Sequence, residues 1–489
     1  MTEPLSAGEY RDLVSDALDG ATEADTRRPT AHTLFMPDSH RSALYVDNTV
    51  VQGGRGVGKT FWYHSLLDGT LRTFAAEEYR IKRLLHLEVS PGYGTDMASD
   101  RYPGSFVLGR LLADGTPPHE IWYAVLLTAL GQRELRALTE WSDRIAWVRA
   151  HPGPAQRTVE RADDQARERG TVRLLLFDAL EHLHPDREQA DRLVAGILRL
   201  ALEMRFGTRN IRFKVFIRPD MFDGAKHHFA DASKLAGNAA RLQWSRTDLY
   251  GLLFHSLGNE GSERARRFRR ITGGWESPAD GDRHVPPMAL RNDEQAQTAL
   301  FEQIADPYMG ANFRKGRPYT WLPNHLMDGR DQVSPRSFLQ ALLTAADATR
   351  ATRPGHDRAL HHEAIRKGVQ AASEVRVLEV GEDTPWVQAA IAPLGGCQVP
   401  IEEARVLALW HDHGVTHALR ESAARYAQAD GPALVRTGPR HPDNLPRLIE
   451  ELIDLGVMRR RGDGRLDLPD VYRVAFRVGR RGGVPMTTG

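Results

Sequence analysis

The chain has 489 residues, 41% of them apolar and 26% charged, and a formal net charge of +1. These values fit a globular protein of about two to four domains, with no global field to draw it onto nucleic acid. No apolar run reaches transmembrane length, and the single cysteine, Cys397, excludes an intrachain disulfide and a cysteine-based zinc site.

The start, Met1-Thr2-Glu3-Pro4-Leu5, lacks the basic and apolar regions of a signal peptide. The expected compartment is the cytoplasm, and Cys397 reads as an ordinary buried thiol. Residues 1–40 read as one amphipathic helix, Ala7 to Leu18, followed by a polar, extended stretch. From 41 to 245, strand and helix signals alternate. Asn48-Thr49-Val50-Val51-Gln52 reads as a short buried strand and Phe61 to Leu67 as the helix after it. Leu84 to Val89, Val172 to Phe177, Ile211 to Ile217 and Arg241 to Trp244 read as further strands. Helices are expected between them, notably Ile121 to Leu130 and Ala190 to Phe206. Strands spaced by helices predict a parallel sheet covered on both faces.

After Ser245 the strand signals stop. Four or five helices are expected over 246–376, opening at Asp248 and ending with one that follows Ser334-Pro335. An exposed Gly/Pro/Asp-rich loop is expected over 273–293. In 377–489, Leu445 to Leu455 reads as an amphipathic helix closed by Gly456. Gly462-Asp463-Gly464, between Val457–Arg461 and Arg465–Leu468, reads as a hairpin turn. Helix, glycine, strand, turn and strand make the back half of a winged helix. The expected fold class is α/β: a parallel sheet flanked by helices, then a helical lid domain and a C-terminal winged-helix-like domain. The boundaries are 1–40, 41–245, 246–376 and 377–489.

Between the first strand and its helix lies Gly53-Gly54-Arg55-Gly56-Val57-Gly58-Lys59-Thr60, which fits G-x-x-x-x-G-K-[ST]. Glycines there let the main chain approach phosphate oxygens. Successive N–H groups and a helix N-terminus, here opening at Phe61, supply partial positive charge. Lysine is scarce in this chain, seven residues in all, which adds weight to Lys59. Binding alone does not hydrolyse; a magnesium-ordering acid and a group that aligns water are also needed. Leu174-Leu175-Leu176-Phe177-Asp178 places an acid at the carboxyl end of a buried strand, where open α/β sheets bind ligands. Asp178 would share Mg²⁺ with Thr60, and Glu181 would polarise the water. The competing readings are a helix-capping Asp178 and a Glu181 paired with a surface arginine. Arg218, at the end of the fourth strand, is a γ-phosphate sensor candidate or a solvated charge. Arg336, just inside a helix, would link nucleotide state to domain angle, or is a surface arginine. The run Arg264 to Arg270 could meet nucleic-acid phosphates or form the solvated side of a helix. His361-His362-Glu363 and His411-Asp412-His413 lack the i, i+4 histidine spacing of a helical metal site and read as ordinary polar residues.

With the glycine loop, Asp178/Glu181, strand-end Arg218 and Arg336 in order, the chain resembles the additional-strand P-loop ATPases. It looks most like bacterial STAND-like and KAP-like ATPases, and more distantly like origin-recognition-type AAA+ proteins, which also end in a winged helix. The resemblance spans 45–350 and, loosely, 440–480. Two positions depart from AAA+ usage. Residue 179 is Ala, not the usual Glu after the magnesium acid, and residue 218 is Arg in place of a polar sensor such as Asn. The resemblance implies that Lys59 contacts the β- and γ-phosphates of ATP, Thr60 and Asp178 serve Mg²⁺, and Glu181 aligns water. It also implies a slow ATP-hydrolysing switch in signalling or defence, acting through a protein partner and able to self-associate on nucleotide. A DNA-binding loader or transposition-type ATPase working through the winged helix is one alternative. A non-hydrolysing scaffold is another. No membrane association is expected.

Overall fold

Apolar runs bounded by polar residues set the central sheet. Its strands are β1 (Val50–Gln52), β2 (Leu87–Tyr93), β3 (Val172–Phe177), β4 (Ile211–Ile217) and β5 (Ala240–Arg241). Their order is β2-β3-β4-β1-β5 and every pairing is parallel. The computed structural model describes residues 4–20, 28–226, 228, 231–277, 283–428, 438–481 and 484. They fall into two units. The sheet belongs to His40–Leu242, and the second unit combines the segment up to Ser39 with Gln243–Gln428 and the chain from Gly438.

β3 and β4 begin and end where their apolar runs do, as expected of strands covered on both faces. β2 does not. Leu84 and Leu85 lie in a 3₁₀ turn, Lys82–His86, and the strand runs on through Pro91 and Gly92. β2 is an edge strand, where a missing N–H is tolerated. Gly92 is required because the Phe177 ring sits 2.3 Å from where its Cβ would stand. The helices Pro118–Ala129 and Arg187–Gly207 share one core with Leu175, Phe177, Phe213 and Val215. The helix Lys59–Leu67 packs against β2 and β4.

Two buried anchors fix the approach to β1. Lys214, fully buried on β4, donates to the carbonyls of Ala43, Tyr45 and Asn48 at 2.7, 3.0 and 3.0 Å. Burial pushes its ammonium down to about 7. Trp62 Nε1 donates to His40 Nδ1 at 3.0 Å.

In the second unit, Ala7–Leu18 is a helix, opened by a capping box between Ser6 and Glu9. It packs on Pro335–Thr352 and Arg246–Asn259 within one core. Seven α-helices lie between Arg246 and Asp383 among the described residues, more than the four or five expected. The last, His362–Asp383, is unbroken, so a boundary drawn between 376 and 377 falls inside it. Of the loop expected over 273–293, residues 278–282 lie outside the described residues, as do 21–27 of the N-terminal stretch. Within that loop, Glu276 bridges Val285 and Met288–Asn292 is helical.

The basic run lies on the helix Glu263–Thr272, and much of its charge is spent inside the unit. Arg264 pairs with Asp16, Arg267 with Glu9, and Arg266 and Arg270 with Glu263. Toward the C-terminus come the helices Glu403–Asp412, Val415–Gln428 and Leu445–Asp454. Gly456 follows with φ of 73°, and then Arg459–Arg460 pairs antiparallel with Leu466–Asp467. Ile401 bridges Leu466 from the far side. Cys397 is only partly buried, contrary to the expectation.

Candidate functional site

Carboxyl ends of β1, β3 and β4 carry the residues that the motifs single out. Gly53 follows β1 and its N–H donates to the carbonyl of Ile217 at the end of β4, at 3.0 Å. A Cβ on Gly53 would lie 2.6 Å from Val57 Cγ2 and 3.4 Å from Lys59 Cγ. The turn therefore closes only around glycine. Gly58 stands at φ 102°, a left-handed conformation, and is the N-cap of Lys59–Leu67 with no side-chain cap. The loop thus has the glycine turn and the open helix N-terminus that the motif predicts, and the uncapped helix end and its dipole favour an anion. Lys59 is buried, and its Nζ donates to the carbonyl of Gly54 at 2.8 Å. Gly54 is exposed, Arg55, Gly56 and Thr60 are half-buried, and Phe61 stacks edge-on against Trp62.

Asp178 ends β3 and its N–H donates to the Tyr93 carbonyl at 3.1 Å. The residue is 1% exposed and neither carboxylate oxygen has a hydrogen bond of full geometry, although the Thr60 hydroxyl and the Ala179 N–H lie near enough to favour its charged form. Burial first, then the charge of Glu181, push its carboxyl up to about 6. The nearby Thr60 hydroxyl and Lys59 ammonium offset only part of this. A buried carboxylate so weakly bonded is costly in a folded chain. Beside a threonine hydroxyl it makes a set of hard oxygen donors, which suits Mg²⁺. Asp178 is thus not a helix cap: the next residue, Ala179, takes a left-handed φ of 56° and the 3₁₀ turn Leu180–His182 has no side-chain cap. That turn carries Glu181, half-buried, close enough to act on both Asp178 and Tyr93.

Arg218 also lies at this edge, but its guanidinium engages the carboxylate of Asp220, Nε to Oδ1 at 3.0 Å. Arg187 reaches the same acid at 3.2 Å and Asp191 at 3.2 Å. Burial would raise Asp220, yet Arg218 and Arg187 hold it well below the usual carboxylate range. Arg336 belongs to the other unit, where its NH1 donates to Glu379 at 2.7 Å with both side chains nearly buried. It is not the surface arginine of the alternative reading.

Sequence reasoning passed over Tyr63. Its hydroxyl is buried without a hydrogen bond, 2.5 Å from where a Cβ on Gly94 would stand. Burial and then neighbouring charges that include Asp178 push it up. The available signal was spacing, since Tyr63 lies four residues after Lys59 on one helix face. Arg187 and Asp220 carried no motif.

No family model matches the chain, and no curated protein matches it. Among solved structures it is similar to the Aeropyrum pernix ORC2 protein, determined as ADPNP–ADP complexes, at 14% identity and a TM-score of 0.35. That likeness covers 87% of this chain and 84% of the other. A second likeness is to Cdc6p from Pyrobaculum aerophilum, at 12% identity and a TM-score of 0.30, covering 93% and 94%. Likenesses at this level carry no argument for ligand or activity.

Proposed function

We propose that the chain is an ATP-binding, magnesium-dependent switch of the additional-strand P-loop ATPases, hydrolysing slowly and acting on a protein partner. The observation that carries this reading is the pairing of a P-loop with a buried Asp178 at one sheet edge. β4 lies between the P-loop strand β1 and the acid-bearing strand β3, which fits a division named for an added strand. Lys59 would trade the Gly54 carbonyl for phosphate oxygens. Thr60 and Asp178 would hold Mg²⁺, which when bound neutralises charge on the β- and γ-phosphates. Glu181 would orient the attacking water and accept its proton. It stands three residues beyond Asp178, beyond a left-handed Ala179, in place of an acid at 179. That departure supports slow turnover and the STAND/KAP side of the resemblance, with its signalling or defence roles. Arg218 would have to leave Asp220, and Arg336 to leave Glu379, before either could meet a γ-phosphate.

A specific observation weighs against the DNA-loader reading. The order of helices, hairpin and Ile401–Leu466 bridge in 386–468 supports a winged helix. Three of its four hairpin arginines have close acidic partners, Arg459 in Asp467, Arg460 in Glu403 and Glu450, and Arg465 in Asp463, while Arg461 lies 3.7 Å from Asp467. The exposed side of Leu445–Asp454 carries Glu450 and Asp454 beside Arg447. Such a face suits a protein partner better than a phosphate backbone. Titration with ATP tests the reading: Lys59→Ala is expected to abolish binding, and Asp178→Ala to remove magnesium-dependent turnover with the fold intact. Light scattering with an ATP analogue and duplex DNA separates the rivals. Self-association on nucleotide alone supports the switch; ATP-dependent DNA binding supports the loader. Binding without phosphate release, unchanged by Glu181→Gln, supports the scaffold.

A further inference from the structure

In the second unit, the end of the helix Glu294–Ile304 meets the link between Pro335–Thr352 and His362–Asp383. The main chain fixes that meeting. Ala305 and Leu360 form a parallel bridge. Leu360 N–H donates to the Ile304 carbonyl, and Asp306 N–H to the Leu360 carbonyl, both at 3.0 Å. Buried Arg11 grips the same link, donating to the carbonyls of Ala359, Pro354 and Arg358 at 3.1, 3.2 and 3.2 Å.

Asp306, His356 and His361 converge in this frame, each offering one ligand-type atom within 4.8 Å of the others. Asp306 Oδ1 lies 2.6 Å from His356 Nε2. Asp306 Oδ2 accepts from the His362 main-chain N–H at 2.9 Å and lies 2.8 Å from His362 Nδ1. His361 differs. Its Nδ1 accepts from the N–H of Glu363 at 3.2 Å, so its Nε2 must carry either a proton or a metal. That Nε2 is 3.9 Å from Asp306 Oδ2, too far for a hydrogen bond, on a side chain only 9% exposed. Hydrogen bonding to Asp306 thus holds His356 and His362, whereas His361 is held at Nδ1 as the cap of its helix and brings its Nε2 into the cluster without a bond to Asp306.

We propose that Asp306, His356 and His361 bind a divalent transition ion, zinc foremost, as a clip between the two segments. Two imidazoles and one carboxylate are ligands that zinc accepts, with a fourth position left for water. The contacts of His362 with Oδ2 orient the carboxylate, as outer-shell partners of metal ligands do. Sequence spacing concealed the site: the i, i+4 rule describes one helical face, and these ligands come from two loops and a helix cap.

The test uses the untagged full chain, stripped with chelator, then titrated with Zn²⁺ or Co²⁺ and gel-filtered. One zinc per chain is expected by elemental analysis, with a tetrahedral cobalt absorption spectrum and a higher melting temperature. His361→Ala and His356→Gln should lower zinc affinity by about 100-fold or more, while His411→Ala should leave it unchanged. Substoichiometric zinc, or equal uptake by the parent and by folded His361→Ala, overturns the proposal. Should a ligand variant fail to fold, the cobalt spectrum of the parent decides, and an octahedral one overturns it.

Discussion

Asp178 combines full burial with a neighbouring Glu181, and its carboxyl rises to about 6 from the ordinary 3.8 although Thr60, Lys59 and the Ala179 N–H pull the other way. Between pH 4 and 6 the unfolded chain has therefore lost a proton that the folded chain keeps. The unfolded state binds fewer protons, so this group's contribution to stability falls as pH rises through that window. The full difference is ~3 kcal/mol. Asp178→Asn should remove that slope and make the metal-free protein more stable at pH 7, while abolishing magnesium-dependent turnover. Urea unfolding from pH 4 to 7 checks this, and an equal slope in the variant would contradict it. For Glu181→Gln, ATP affinity should stay within about twofold while turnover drops about 100-fold, read by phosphate release. At this scale the sequence was legible where the pattern is local: the motifs single out Lys59, Thr60 and Asp178, and the fold brings them together. Partner choice is tertiary. Nothing near Arg336 announces Glu379, and His361 meets Asp306 only through a bridge between distant segments.

Among the elements, the P-loop turn depends on the absence of a side chain at Gly53. Gly53→Ala would drive a methyl into Val57 and press on Lys59. We expect it to cost about 1–3 kcal/mol and to weaken ATP binding, whereas Gly54→Ala, whose Cβ would meet only Val57 Cγ1 at an ordinary contact distance of 4.0 Å, should do neither. Thermal melts and ATP titration of both variants check this. β3 and β4 could be read from sequence because a strand covered on both faces is a plain apolar run. The full extent of β2 could not, because Pro91 and Gly92 look like breakers unless the strand is known to lie at an edge against Phe177, and only Leu87 to Val89 fell inside the expected strand. The helix His362–Asp383 was hidden for a related reason. Gly368 lies against the Ala341 backbone, 2.1 Å from its carbonyl oxygen to a built Cβ, and Ala364 and Ala372 are buried with it. A stripe of small residues buries well yet hardly registers as hydrophobic.

On the scale of the whole molecule, each unit closes its own core, one around Trp122 and the sheet, the other around Tyr250 and Phe338. The N-terminal helix joins the second unit through Arg11 and through Asp16 and Glu9, which neutralise part of the basic run. Sequence order cannot disclose such closure, since a helix and its partners stand hundreds of residues apart. The same pairings predict that duplex DNA binds weakly, with no gain from ATP, and fluorescence anisotropy across salt concentrations checks it. A steep salt dependence that appears only with ATP would favour the loader instead. All of this assumes a nucleoside triphosphate seated on the loop Gly53–Thr60. The most direct test is calorimetric titration of the full chain with ATP and Mg²⁺, beside Lys59→Ala. Saturable binding to one site in the parent, absent from the variant, is the predicted result. Equal affinity in both, or no binding to the parent, would contradict the account.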